Sequence, residues 1–149
     1  MKITVSPENT KLTVAETFAA TEFFIKLLLP KKKRKKLLID ISFCDEDAVP
    51  RWNGSCLEIT KRKYDIWIRR SKSHHDQLNA LAHELVHVKQ FVQNEMCPWT
   101  FKIKSAGLRG MSIQSNDSYW DNPAEIEAFG RSIGMVSRYF TEINNKQQS

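Results

Sequence analysis

The chain has 149 residues, enough for one domain with a real core, and its composition is that of an ordinary soluble globular protein. Three cysteines, Cys44, Cys56 and Cys97, form no C-x-x-C pair and argue against a disulfide framework, in favour of a reducing compartment. The net charge of +6 favours acidic or nucleic-acid surfaces without specifying either.

In chain order, Lys2–Val5 alternates and suits a short strand. No basic stretch followed by an apolar core opens the chain, so a cytoplasmic protein is expected. Thr13-Val14-Ala15-Glu16 reads as a capping box that starts a helix ending near Pro30. Phe18, Phe23, Phe24, Leu27 and Leu28 are expected on its core face. Glu16, Glu22 and Lys26 rule against a membrane span in this run.

Lys31, Lys32, Lys33, Arg34, Lys35 and Lys36 are six consecutive cations. They read as a solvated turn between helix and strand, with a phosphate-contacting loop for weak nucleic-acid contact as the alternative. Leu37–Cys44 is rich in branched apolar residues and reads as a buried strand. A loop runs from Asp45 through Pro50 to Gly54. Ser55–Thr60 and Tyr64–Arg70 read as two further strands, with Lys61–Lys63 as the turn. Tyr64, Ile66 and Ile68 alternate with Asp65, Trp67 and Arg69, so one face is expected to be buried and the other partly wet. The fold expected is α+β: a small twisted sheet packed with an N-terminal helix, a central helix and a C-terminal helix, in one domain over 1–149.

The central helix, Asp76–Asn94, carries Leu78, Leu81, Ala82, Leu85, Val88 and Val92 as one apolar stripe. The run His83-Glu84-Leu85-Val86-His87 is an H-E-x-x-H motif, with His83 and His87 off the centre of that stripe. Four residues turn about 400° around a helix, which puts both imidazoles on one face with Cβ atoms roughly 5–6 Å apart. Two neutral nitrogen ligands can hold one zinc ion, and the intervening Glu84 can act as general base on a water. His74 and His75, at the helix start, do not converge with that pair and are assigned to the surface.

Met96–Asp121 is irregular, with a strand expected at Trp99–Lys104, and suits the wall of a substrate cleft. Asn122 as N-cap and Pro123 at the first position open the last helix. Its stripe is read as Ile126, Phe129, Ile133, Val136 and Phe140. A catalytic zinc needs a third protein ligand. No histidine follows His87, so the candidates are Glu95, Asp117, Asp121, Glu125, Glu127 and Glu142, with Cys97 a lesser one. Glu125 and Glu127 stand out, and only one can face the site. Glu125 also suits a second role, reaching back to the Asn122 amide.

His83–His87 followed by Glu125-Ile126-Glu127-Ala128 resembles the gluzincin pattern of zinc metallopeptidases. The longer match, Leu81–Gln90 and then Tyr119–Ala128, resembles small metallopeptidases encoded by bacteriophages and described as similar to the SprT family. It covers roughly the second half of the chain. The resemblance implies a minimal zincin-like domain, one zinc ion on His83, His87 and Glu125, and Glu84 as general base. It also implies a peptide or protein substrate, in a host cytoplasm if phage-encoded. SprT-type proteases usually take a histidine as third ligand, and this chain has none available. Tyr119 and Arg131 are candidate oxyanion donors, and Asp121 a candidate partner for an imidazole. The last strand before the motif helix, or Trp99–Lys104, is a candidate for pairing with an extended substrate. The competing reading keeps the zinc but uses the basic surface to bind nucleic acid or an acidic protein, without catalysis.

Overall fold

The computed structural model describes residues 1–7, 11–45, 53–95 and 122–148. Cys97, Trp99–Lys104, Asp117, Tyr119 and Asp121 lie outside the described residues. Among the described residues the architecture is α+β, with a mixed four-stranded sheet and four helices.

The elements are β1 (Lys2–Val5), α1 (Val14–Leu28), α2 (Lys31–Arg34), β2 (Leu38–Cys44), β3 (Gly54–Thr60), β4 (Lys63–Arg69), α3 (His74–Val92) and α4 (Pro123–Gln148). The sheet order is β1-β2-β4-β3. β1, β2 and β4 run parallel, with Lys2 beside Leu38 and Leu38 beside Lys63. β3 pairs antiparallel with β4 and carries an irregularity between Glu58 and Thr60. Alternation places Ile39, Ile41 and Phe43 of β2 and Tyr64, Ile66 and Ile68 of β4 in the core. Leu78, Leu81, Leu85 and Val88 of α3 and Phe24 and Ile25 of α1 fill that same core.

α1 starts as its sequence dictates. The Thr13 amide donates to Glu16 Oε2 at 2.9 Å, and the Glu16 amide donates to Thr13 Oγ1 at 3.3 Å. Its buried face differs from the expected one. Phe18 is 45% exposed, whereas Thr17 and Thr21 are buried. Their hydroxyls donate to the Thr13 and Thr17 carbonyls at 2.8 and 2.7 Å, so burial leaves no polar group unmet. The cationic run is also more ordered than a plain turn, because Lys31–Arg34 completes one helical turn, α2.

α3 begins two residues earlier than the apolar pattern alone suggests. Ser73 is its N-cap and accepts from the Asp76 amide. His74 meets Glu16 at 3.4 Å, and the His75 ring stacks on Phe140, which leaves both away from the motif pair.

α4 has the larger correction. Its buried residues are Ala124, Glu125, Ala128, Ser132, Met135, Val136 and Tyr139. Ile126, Phe129 and Ile133, expected in the core, are exposed. The cause is the small side chains: Ala124, Ala128 and Ser132 recur every four residues and let the α4 backbone approach α3 closely. That rotation also turns Glu125 inward. At the start of α4, the Ala124 amide donates to Asn122 Oδ1 and the Ile126 amide to the Asn122 carbonyl.

Candidate metal centre

The motif histidines meet the last helix in the packed layer between α3 and α4. His83, His87 and Glu125 are each buried, with 8%, 7% and 7% of their surface exposed. His83 Nε2 lies 3.2 Å from His87 Nε2 and 3.0 Å from Glu125 Oε2, and His87 Nε2 lies 3.3 Å from Glu125 Oε1. Ligand bonds of about 2.0–2.1 Å in tetrahedral geometry put donor atoms roughly 3.3 Å apart. The observed spacings fit that requirement, and the three side chains form a group that could hold a metal ion. The Phe129 ring packs edge-on against His83, with centroids 4.5 Å apart.

The other acidic candidates among the described residues, Glu127, Glu95 and Glu142, are placed elsewhere. Glu127 binds Lys89, Gln90 and Arg131. Glu95 pairs with Lys89, and Glu142 with Lys146. Arg131, a candidate oxyanion donor, is 2.8 Å from Glu127. Glu125 spends its carboxylate on the imidazoles rather than on the helix cap.

Gln90 is the residue that spacing alone does not reveal. Its Nε2 donates to the Ala124 carbonyl at 3.0 Å and to Glu127 Oε2 at 2.9 Å. Both are acceptors only, so the amide oxygen must face His87 Nδ1, 2.8 Å away. His87 therefore carries its proton on Nδ1 toward Gln90 and turns Nε2 to the site, an outer partner of the kind that orients metal-binding imidazoles. Glu127 is held in turn by the buried Lys89 ammonium at 2.7 Å, which also meets Glu95 at 2.6 Å. The available clue was position: Gln90 is three residues after His87, hence on the same helical face.

Glu84 lies on a neighbouring sector of α3, 5% exposed. A Cβ at Gly54 would fall 2.9 Å from Glu84 Oε1 and 3.1 Å from the Trp67 carbonyl oxygen, so the start of β3 must be glycine for this carboxylate to fit. Burial raises the Glu84 pKa, His87 and His83 lower it, and Glu125 raises it; the net shift is upward. Burial also pushes the Cys56 thiol well up, helped by Glu84, which keeps it a neutral neighbour. For His87, burial favours the neutral form but is outweighed. Its bond to Glu125, the charges of Glu84 and Glu125, and the bond to Gln90 carry it to about 9.

β4, expected as a strand for substrate pairing, is flanked by β2 and β3 and has no open edge. Among the described residues, the strand at the sheet edge beside Glu84 is β3. Comparison with protein-family models, with curated proteins and with solved structures finds no match to this chain.

Proposed function

We propose that this chain is a zinc-dependent metallopeptidase of minimal zincin-like architecture, with His83, His87 and Glu125 as ligands and Glu84 as general base. The observation that carries the reading is the convergence of two imidazoles and one carboxylate within 4.8 Å of one another, with a second buried carboxylate one residue from His83. A nitrogen, nitrogen, oxygen donor set with the spacing of a tetrahedral ion suits zinc. Zinc held there would bring the pKa of water to roughly 7 and polarise a substrate carbonyl.

The rest follows from the chain's own groups. Glu84 takes a proton as water oxygen attacks the peptide carbonyl carbon, then delivers it to the nitrogen as the C–N bond breaks. Its raised pKa suits it to both halves of that task. Gln90 keeps His87 in one tautomer throughout. An extended substrate would pair with β3, whose first residue, Gly54, touches Glu84.

The test compares native protein with Glu84→Gln on a broad peptide library, with bound zinc measured in both. The reading expects cleavage by the native protein, lost by about 10²–10⁴-fold in the variant with zinc retained. Zinc without any cleavage by the native protein would instead favour a metal-stabilised binding module.

A further inference from the structure

We propose that the end of the sheet built from α2 and the β3–β4 turn is a docking surface for the phosphate backbone of a nucleic-acid duplex. The sequence shows six cations in a row, but the topology adds a second group to them. β1, β2 and β4 are parallel, and Lys2, Leu38 and Lys63 stand side by side at their starts. What opens or precedes each strand therefore gathers at one end: Lys2 as the first residue of β1, Lys31–Lys36 before β2, and Lys61 and Arg62 before β4. The juxtaposition is bonded. Arg62 Nη1 donates to the Lys33 carbonyl, the Leu38 amide donates to the Arg62 carbonyl at 2.9 Å, and the Lys2 amide to the Leu37 carbonyl at 2.8 Å.

Ten cations thus share one end of the molecule. Lys2, Lys31, Lys32, Lys33, Lys35, Lys36 and Lys61 are exposed; Arg34, Arg62 and Lys63 are partly covered. Lys63 meets Asp40 at 3.7 Å, and no other ion pair joins these ten among the described residues. Two of them also occupy costly backbone. Lys36 has φ 63° and Arg62 φ 77°, in the left-handed region where glycine or asparagine sits more cheaply. Strain and like-charge crowding at one place mark a surface kept for its charge.

The chemistry favours a duplex backbone. Lysine ammonium groups act as point charges toward phosphate and carry no base-reading geometry. Tyr64, the aromatic next to Lys63, is buried and offers no platform for a splayed base. The exposed large apolar residues at this end among the described residues, Met1, Leu38 and Ile59, belong to three different strands or their starts and are not gathered on one helix face as an apolar wedge for lipid would be. Gly54, against Glu84, pairs with Ile68, five residues along β4 from Lys63, or about 17 Å. A partner held at the cationic end therefore leaves Glu84 open.

The experiment is fluorescence anisotropy of the full chain with two labelled duplexes of unrelated sequence, from 50 to 200 mM salt. Equal affinities are expected, with a log K against log salt slope of about −4.5 for roughly five phosphate contacts. Lys31→Glu/Lys33→Glu/Lys61→Glu should weaken binding by at least about tenfold, whereas Lys26→Glu/Lys72→Glu/Lys146→Glu, of equal charge change, should not. Lys36→Gly gives a readout independent of folding damage: its urea midpoint should rise while the salt slope loses about 1. The inference is overturned by no binding at 50 mM salt, by equal loss in both triple variants, or by phosphatidylserine vesicles binding in preference to duplex. None of these outcomes bears on the metal centre.

Discussion

Gln90 settles which nitrogen of His87 is left for a metal, and it does so with an amide clamped by Ala124 and Glu127. Replacing it by leucine keeps the bulk but frees the ring to rotate. Gln90→Leu should weaken zinc binding by about 10–100-fold, measured by competition with a chelator, with the helical content unchanged. Unchanged affinity would show that the clamp is only structural. At this scale the sequence was readable where one helix fixes the geometry, as at His83, Glu84 and His87. It was ambiguous between Glu125 and Glu127, because residues two apart differ by about 200° and the choice depends on how α4 is rotated. For Gln90 it offered only the position three residues after His87, and on Gly54 it was silent, because what fixes both is the contact with other elements.

The rotation of α4 is set by its small residues, and the metal group depends on it. Ala128 is fully buried one turn from Ala124, facing α3. Ala128→Leu should cost about 1–3 kcal/mol by overpacking and should move Glu125 away from the imidazoles. Urea unfolding and zinc titration on the same variant check both effects. The starts of α1 and α4 were legible: Thr13 with Glu16 caps α1, and Asn122 opens α4. Buried faces were less so. A pattern search rewards large apolar residues, so it placed Phe18, Ile126 and Ile133 inside. The chain instead buries Thr17, Thr21 and Ser132, whose hydroxyls bond to carbonyls of their own helix.

Across the whole molecule, the α+β class followed from the alternation of strand and helix patterns, but the strand order did not. Nothing local says that β4 inserts between β2 and β3, and that insertion gathers the cations and, among the described residues, leaves β3 at the edge. Among the described residues no helix is long and apolar enough to cross a membrane. Stability should depend on pH through His87. Its value of about 9 lies above the ordinary 6.5, so in metal-free protein its contribution is full below 6.5 and is lost as pH rises through 9. On the proposed function, zinc at Nε2 would compete with its proton, so zinc affinity should rise over the same window. Urea unfolding at pH 6 and pH 9.5, with chelator and with zinc, checks the opposed trends. The most direct test is elemental analysis of protein purified without chelator, paired with zinc titration of Glu125→Ala. One zinc per chain is expected, with affinity reduced in the variant by more than about 100-fold, beyond the loss of an outer partner. Absence of stoichiometric metal, or a Glu125→Ala variant that binds zinc as tightly as the native chain, would contradict the account.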